Sequence, residues 1–398
     1  MSSKFRWLIV LVSTPLVALV TLGGLLTASN EPGDQRAPAG HLIAFEDVIS
    51  LVLGAYVEEV NVDRVMEGAM RGLTDGLDRS SAYLSPDEVR AIETKTPAPP
   101  ADVGLIVTRQ FYLRVVGVRD GSPAAKAGLQ TDDFLRMIDT TPTRDLSAVT
   151  GMRMLHGAPG STVKLTVIRG NAADPHEFTL TREAPTGPPV VSTVLPSGVA
   201  HVRVARFTAD AVPALKRAFD GFAAKKVEGA VIDLRATADG TPEDGIAAAR
   251  LFVSSGTLAV RAGRGEARVT IAAEPGDGAV TMPVGLLVSN GTANAAEVFA
   301  AALSGNSRAE LIGEPTAGIA AVQKLVKLPE NRGLWITSER YLQVDGKDPI
   351  HERGLRPTLG VEIPSVGFDE VPPASDEPLA KAVERMRSKY LLTVKPGR

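Results

Sequence analysis

The chain contains no cysteine, which excludes disulfide bonds and thiolate metal sites. Its net charge is only −3 at pH 7, so it lacks the basic surplus that accompanies nucleic-acid binding. The five histidines form no group with Asp or Glu at metal-ligand spacing, and no glycine-rich phosphate loop follows a strand. We therefore predict no metal, no other cofactor and no nucleic-acid partner.

The N-terminal segment carries a targeting signal. Lys4 and Arg6 precede an uncharged stretch of about 22 residues, 7–28, which is long enough to span a bilayer. Acidic residues follow it, and this charge order places the N-terminus in the cytoplasm. We predict a single-pass anchor in the inner membrane, with the bulk on the periplasmic or extracytoplasmic side. The alternative is a cleaved signal peptide ending near Ala28.

Composition and periodicity divide the rest of the 398 residues into segments. We predict an α/β multidomain protein, because strands alternate with helices through its largest segment. The predicted order is a membrane anchor or signal segment, a linker, a small helical region, a β-domain, an α/β core and a tail helix. These segments span residues 1–28, 29–40, 41–93, 101–184, 190–365 and 366–398.

One stretch of the core has the layout of an active site. An apolar run, 285–288, predicts a buried strand, and a small-residue turn, 289–294, leads into a helix from about Ala295. A side chain in such a turn sits at a helix N-terminus, where free N–H groups stabilise negative charge. The pattern predicts a site for chemistry that develops negative charge.

This stretch resembles the carboxyl-terminal processing (tail-specific) proteases. The Gly291-Thr-Ala-Asn294 run aligns with the family's turn, and Glu297 matches, but the family's nucleophilic serine is Asn294 here. In the second run Thr316, Gly318 and Gln323 match. The family's general-base lysine corresponds to Ile319. The resemblance therefore implies the protease scaffold, with Gln323 in a supporting position and both reacting groups replaced.

The two replacements have a direct chemical meaning. A Ser–Lys pair works because a desolvated lysine loses its proton and deprotonates the hydroxyl. Asparagine offers no ionisable nucleophile and isoleucine cannot carry a proton. Losing one member of such a unit costs on the order of a millionfold in rate, about as much as losing all of them. We therefore predict a protein that keeps the protease fold without its catalysis.

A third departure lies in the turn after the predicted strand 229–235. The resemblance implies that this turn contributes a backbone donor to the oxyanion hole. Only Gly240 of its glycine-containing sequence remains, and Asp239 replaces a glycine. A carboxylate near a developing oxyanion has the wrong sign. This departure agrees with the loss of catalysis.

Residues 101–184 resemble the PDZ domain of the same family, most clearly at Asp120-Gly-Ser-Pro-Ala-Ala-Lys-Ala-Gly-Leu129. The resemblance implies a groove that takes a peptide C-terminus as an added strand, with its carboxylate on loop N–H groups. The predicted peptide-binding residues are Gly104, Leu105, Ile106, Val107, Val149 and Arg153. The alternative is a spacer domain whose groove is unused.

Two other catalytic arrangements stay open from the sequence. One is a shifted Thr292–Lys324 pair, although strand alternation turns Lys324 away from Gln323. The other is a Ser–His–Asp set using His201 or His351, although a lone histidine in a strand is more often packed.

The main functional hypothesis is a non-catalytic, membrane-anchored protein that binds peptide or protein C-termini. It would act as an adaptor or regulator of an active relative. Its protein partner would be that relative or further copies of the same chain. The alternative is an active serine-type C-terminal processing endopeptidase with a shifted nucleophile.

Overall fold

The structure, a computed structural model, describes residues 36–95, 98–170, 174–368, 370–371 and 373–388. The chain forms two compact units, residues 1–69 and 70–398. The predicted membrane span lies outside the described residues. Within the described part, no helix combines the length and apolar character needed to cross a membrane.

The first unit is helical where it is described. It contains α1 (Arg36–Ala55) and the start of α2 (Val62–Asp75). Helix α1 begins at Arg36, inside the stretch 29–40 expected to be a linker. Residues 36–40 are therefore helical. Pro38 lies in its first turn, where a missing N–H group is tolerated. Apolar side chains of α1, among them Leu42 and Leu51, are exposed.

After the end of α2, the second unit continues with a short structured connection, β1 (Ala82–Leu84) followed by α3 (Pro86–Glu93). Helix α3 starts at a capping box. The Ser85 hydroxyl accepts from the Glu88 N–H at 3.4 Å, and the Glu88 carboxylate accepts from the Ser85 N–H at 2.9 Å. Strand β1 pairs antiparallel with the strand Gly333–Leu342 of the core. The connection is therefore part of the core sheet.

The β-domain predicted at 101–184 forms a six-stranded sheet in the order β2-β3-β4-β6-β7, with β5 beside β4. Its elements are β2 (Leu105–Gln110), β3 (Tyr112–Val118), α4 (Pro123–Lys126), β4 (Phe134–Ile138), β5 (Thr141–Pro142), α5 (Ala148–Leu155), β6 (Thr162–Ile168) and β7 (His176–Thr181). Helix α5 starts at Ala148, because the Ser147 hydroxyl caps it by accepting from the Thr150 N–H at 3.0 Å. It packs beside β2, which is an edge strand.

The remaining residues form the α/β core. Its elements are β8 (Val190–Val194), β9 (Ala200–Val204), α6 (Ala211–Ala224), β10 (Ala230–Asp233), α7 (Pro242–Ala249), β11 (Thr257–Gly263), β12 (Val269–Ala272), β13 (Val284–Val288), α8 (Ala295–Gly305), β14 (Ala309–Gly313), β15 (Ala321–Lys327), β16 (Gly333–Leu342), β17 (Leu359–Gly360) and α9 (Glu377–Met386). The main sheet has the order β17-β14-β13-β10-β9-β8 and is parallel except at β8. A second, antiparallel sheet contains β1, β16, β11 and β12, with β15 beside β16.

Helix α8 lies at the centre of this core. Every residue from Ala295 to Leu303 is buried, because the helix packs between the main sheet and the second sheet. Its sequence is apolar on all sides apart from Glu297, as a helix buried on all sides requires. Helix α9 covers the opposite face of the main sheet through Ala382, Val383 and Met386. The strand and helix predicted around the candidate site are thus confirmed, at 284–288 and 295–305.

The β-domain is fastened to the core by ion pairs and by a C-terminal strap, residues 361–368. Arg203 makes two hydrogen bonds to the Asp120 carboxylate, at 3.0 and 3.1 Å. The strap starts beside β14, where the Val361 N–H donates to the Gly313 carbonyl at 2.9 Å. It ends on the β-domain, where Val366 exchanges two 3.2 Å hydrogen bonds with the Gln130 side chain.

The end of the strap is an aromatic anchor. The Phe368 ring stacks on His176 with a centroid distance of 4.1 Å, and the Arg169 guanidinium lies 4.1 Å from its centroid. Residues 366–368 therefore lie against the β-domain rather than in the predicted tail helix, which occupies Glu377–Met386. Gly367 and the flanking Pro364 and Pro372 disfavour a helix in this segment.

We expect Phe368→Ala to loosen the strap. Loss of the ring stacking and of the cation–π contact should lower the free energy of unfolding by about 1–3 kcal/mol. It should also speed hydrogen exchange at the Val366 N–H, as measured by mass spectrometry. Val371→Ala is the control, because Val371 is 90% exposed. Unchanged exchange at Val366 in the Phe368 variant would contradict the anchoring role.

Candidate functional site

The turn that leads into α8 holds Asn294 in a rare backbone conformation. Asn294 has φ 52° and ψ −113°, outside the regions that non-glycine residues favour. Such a conformation costs about 1–3 kcal/mol and persists only where its surroundings impose it. The turn is fixed from one side by the Ala293 N–H, which donates to the Thr237 carbonyl at 3.0 Å. On its other side the turn is fixed by the Asn294 N–H, which donates to the Glu297 carboxylate at 3.2 Å.

Glu297 connects this turn to the loop that carries position 319. Its fully buried carboxylate accepts from the Thr316 hydroxyl at 2.5 Å and from the N–H groups of Gly318 and Ile319 at 2.7 and 2.8 Å. The Asn294 N–H is the fourth donor. Burial raises the pKa of Glu297, and the four donors oppose that rise. One side chain therefore sets the distance between the positions of the family's nucleophile and base.

The Gly240 turn lies against the Asn294 side chain. Asn294 Nδ2 donates to the Gly240 carbonyl at 2.6 Å. This turn thus presents an acceptor to position 294, whereas an oxyanion hole needs donors there. Gly240 has φ +122°, and a Cβ there would lie 2.2 Å from the Phe207 carbonyl oxygen. Asp239 is half-buried, and its carbonyl accepts from the Phe207 N–H at 2.9 Å.

The Ile319 side chain belongs to an apolar cluster between the β-domain and the core. Its buried members are Val116, Ala238, Ala293 and Ala317, and Ile106 and Ile319 pack against them. Isoleucine at this position therefore shares an apolar cluster with Val116 and Ile106 of the β-domain. Gln323 lies further along β15, in register with Thr337 of β16.

A single cleft of about 520 Å³ joins this region to the β-domain. Asn294, Ile319 and Gln323 line it from the core, and Val107, Val149 and Arg153 line it from β2 and α5. The structure thus brings together six of the predicted site residues. Met152, His156 and Trp335, which the sequence did not single out, line the same cleft.

The other predicted peptide-binding residues lie elsewhere. Leu105 is buried in the β-domain core, and Ile106 belongs to the apolar cluster described above. Gly104, at φ +83°, donates its N–H to Asp102 Oδ1 at 2.6 Å. Asp102 also pairs with Arg119. An internal carboxylate therefore already accepts from the Gly104 N–H, and the assignment of Gly104 to peptide binding stays a prediction.

The shifted Thr292–Lys324 pair finds no support in the geometry. The Thr292 hydroxyl is fully buried, donates to the Leu234 carbonyl at 2.8 Å and accepts from the Ser289 N–H at 3.0 Å. It therefore stabilises the turn. Lys324 is exposed, on the face of β15 opposite to Gln323.

The histidine alternative is also unsupported. His201 Nε2 lies 3.2 Å from Asp233, on the face of the main sheet that α9 covers, whereas α8 lies on the other face. Burial pushes the pKa of Asp233 up, but hydrogen bonds from His201 and Arg235 outweigh it and hold the pKa below its ordinary value. His351 lies 3.9 Å from Asp78, whose carboxylate also binds Ser81. The histidine does not lie between serine and acid, as a triad requires.

The part of the chain that is described holds no group of three or more His, Asp or Glu side chains that could bind a metal. Glu297 is the main site residue to which sequence reasoning gave no role. The signal was present, because Asn294-Ala-Ala-Glu297 has the spacing of a capping box. The hydrogen bonds that Glu297 accepts from Gly318 and Ile319 join segments distant in sequence, so no local pattern indicates them.

We expect Glu297→Gln to uncouple the two loops. Each carboxylate oxygen accepts two donors, so an amide nitrogen in place of either leaves two of them unpaired. Each unpaired donor costs about 1–3 kcal/mol, and relief of the buried charge offsets part of this. We expect a net loss of about 1–3 kcal/mol in urea unfolding at pH 7. Exchange at the Gly318 and Ile319 N–H groups should also be faster.

The pH dependence of this loss has a definite sign. Because the folded pKa of Glu297 is raised, its contribution is fully present below the unfolded value of 4.5 and falls as pH rises through the folded pKa. The difference between wild type and Glu297→Gln should therefore be larger at pH 4 than at pH 7. A difference that grows with pH would show that ionised Glu297 is the favoured form.

Comparisons with known proteins agree with this architecture. The Peptidase family S41 model matches residues 198–361, and the PDZ domain model matches residues 89–179. A carboxyl-terminal-processing protease from Synechocystis sp. is 30% identical over 74% of this chain and 70% of its own. A carboxy-terminal-processing protease from Bartonella bacilliformis is 27% identical over 87% of this chain and 80% of its own.

Among solved structures, the Photosystem II D1 C-terminal processing protease matches with a TM-score of 0.67 and 25% identity, over 86% of this chain and 90% of its own. The β-domain with its α5–β2 groove is a PDZ domain, and the core that carries α8 is the S41 peptidase core. The chain therefore belongs to the carboxyl-terminal processing proteases of peptidase family S41.

Proposed function

We propose that this protein is a non-catalytic member of its family that binds peptide or protein C-termini. The observation that carries the proposal is the shared cleft. The peptide groove of the PDZ domain and the positions of the family's nucleophile and base line one cavity of about 520 Å³. A peptide held in the groove would therefore extend over Asn294 and Ile319, where no group is equipped to cleave it.

The absence of catalysis is supported by three features of the site. The Asn294 amide offers no ionisable nucleophile and is bonded to the Gly240 carbonyl. Ile319 supplies hydrocarbon to the apolar cluster where a proton acceptor would be needed. The Gly240 carbonyl presents an acceptor where a developing oxyanion requires a donor. The first two features remove the nucleophile and the base, and the third weakens stabilisation of the oxyanion.

Peptide binding is supported by the open edge of β2. The Val107 N–H points towards α5 and has the Met152 sulfur as its partner at 3.4 Å. Sulfur is a weak acceptor, so the carbonyl of an added strand can replace it. Val149 and Met152 give the groove an apolar lining. Arg153 adds a guanidinium group and His156 an imidazole to the same cleft. The chemistry fits a short apolar segment that ends in a carboxylate.

The remaining parts of the proposal rest on the sequence. The uncharged stretch 7–28 supports an inner-membrane anchor, with the PDZ domain and core on the periplasmic or extracytoplasmic side. In that position the protein would hold C-termini as an adaptor for, or regulator of, an active relative.

Reversing the charge at the cleft tests the binding mode. We expect Arg153→Glu to weaken binding of an apolar peptide with a free C-terminus about tenfold, because the carboxylate loses a cation and meets an anion. The affinity for the same peptide with an amidated C-terminus should change little. Both affinities are measured by fluorescence anisotropy. Arg136→Glu is the matched control, because Arg136 is exposed on the same domain and does not line the cleft. Equal weakening for both peptides would contradict carboxylate recognition by Arg153.

Restoring the reacting groups tests the lack of catalysis. We expect no turnover of C-terminally tagged substrates by the wild-type chain. Asn294→Ser combined with Ile319→Lys should react with a serine-directed phosphonate probe, because a lysine in the apolar cluster has a lowered pKa and can deprotonate the hydroxyl. Asn294→Ser alone should not react. Wild-type hydrolysis that disappears in Asn294→Ala would overturn the proposal.

A further inference from the structure

The main sheet ends on one side in an unprotected edge strand. Strand β8 pairs with β9, and no other described strand pairs with it. Its five residues, Val-Val-Ser-Thr-Val, carry no charge and include no proline. Val191 is 53% exposed and Val194 is 39% exposed. Natural edge strands are usually protected by charges, prolines or bulges, and none of these lies within β8.

The hydrogen-bond pattern shows which backbone groups of β8 face outwards. The Ala205 N–H donates to the Pro189 carbonyl, and the Leu195 N–H donates to the Val199 carbonyl, both at 2.9 Å. In an antiparallel pair the bonded residues alternate along the strand. Residues 191 and 193 therefore bond to β9. Val190, Ser192 and Val194 direct their N–H and carbonyl groups towards the open edge.

We propose that this edge pairs with the same strand of a second copy of the chain, antiparallel about a two-fold axis through Ser192. In that register Ser192 lies opposite Ser192, and Val190 lies opposite Val194. All of these residues have outward-facing backbone groups, so every free donor and acceptor of the strand finds a partner. The two main sheets then join into one continuous sheet.

Self-complementarity favours a second copy over an unrelated strand. The sequence is nearly palindromic about Ser192, so the two-fold register places valine opposite valine and Val191 opposite Thr193. An isologous contact needs this symmetry, whereas a heterologous partner does not. Pro188 and Pro196 flank the strand, and by the same alternation their backbone positions face the open edge. Neither has an N–H to donate, so the pairing is limited to the five residues of β8. The proposal is independent of peptide binding in the cleft.

The pairing is short, so the dimer should be weak and should depend on protein concentration. Cross-linking suits such a contact, and the absence of cysteine makes it specific. In the proposed register two copies of residue 192 have Cα atoms about 5.5 Å apart, within the range that a disulfide spans. Two copies of residue 191 are diagonal neighbours about 8 Å apart, beyond that range.

The experiment compares Ser192→Cys with Val191→Cys in the full chain under a mild oxidant, with dimer measured on non-reducing gels. We expect at least about tenfold more disulfide-linked dimer from Ser192→Cys. Mixing Val191→Cys with Thr193→Cys should also give dimer, because these residues face each other in the register. Thr270→Cys, exposed on the edge strand β12 of the other sheet, measures collisional cross-linking.

Two outcomes would overturn the proposal. Equal dimer from Ser192→Cys, Val191→Cys and Thr270→Cys would show that only collisions join the thiols. No dimer from Ser192→Cys, in a variant whose thermal unfolding matches wild type, would show that the edge stays open or accepts a different partner.

Discussion

The buried carboxylate of Glu297 is the constraint on which the site depends. It accepts from the start of α8 and from the loop that carries position 319, and so ties two segments that are distant in sequence. Four donors around one buried side chain leave little freedom to either segment. None of these contacts uses a nucleophile or a base. The shape of the site is therefore maintained by groups that take no part in proton transfer.

Isoleucine at position 319, which the resemblance aligns with the family's general-base lysine, has a structural role. It packs against the apolar cluster that contains Ala238 and Ala293 of the core and Val116 of the PDZ domain. Residue 319 thus contributes to the contact between the core and the PDZ domain. Together with the Arg203–Asp120 pair and the strap, this contact fixes the walls of the cleft. A cleft with fixed walls suits selective binding, because less ordering is needed when a ligand enters.

Local patterns predicted much of the fold and part of the site. The apolar run before Ser289 and the small residues after it were sufficient to predict the strand, the turn and α8. Alternation along β15 correctly separated Gln323 from Lys324, since side chains of neighbouring strand residues point to opposite faces.

Contacts between distant segments could not be predicted from such patterns. Nothing near Phe368 indicates a ring stacked on His176, and nothing near Ile106 indicates a contact with the cluster that holds Ile319. The acceptor of the Gly104 N–H is local, because Asp102 is only two residues away, but nothing in the sequence marks that hydrogen bond.

The strained backbone at Asn294 bears on how such sites are interpreted. Strain at a turn of this kind is often taken as a sign of catalysis, because it presents a nucleophile. Here the strain remains although the side chain is an amide bonded to the Gly240 carbonyl. Its cause lies in the contacts of Ala293 with Thr237 and of Asn294 with Glu297, which a catalytic and a non-catalytic chain can share. Backbone geometry at this turn therefore identifies the fold and does not by itself identify the chemistry.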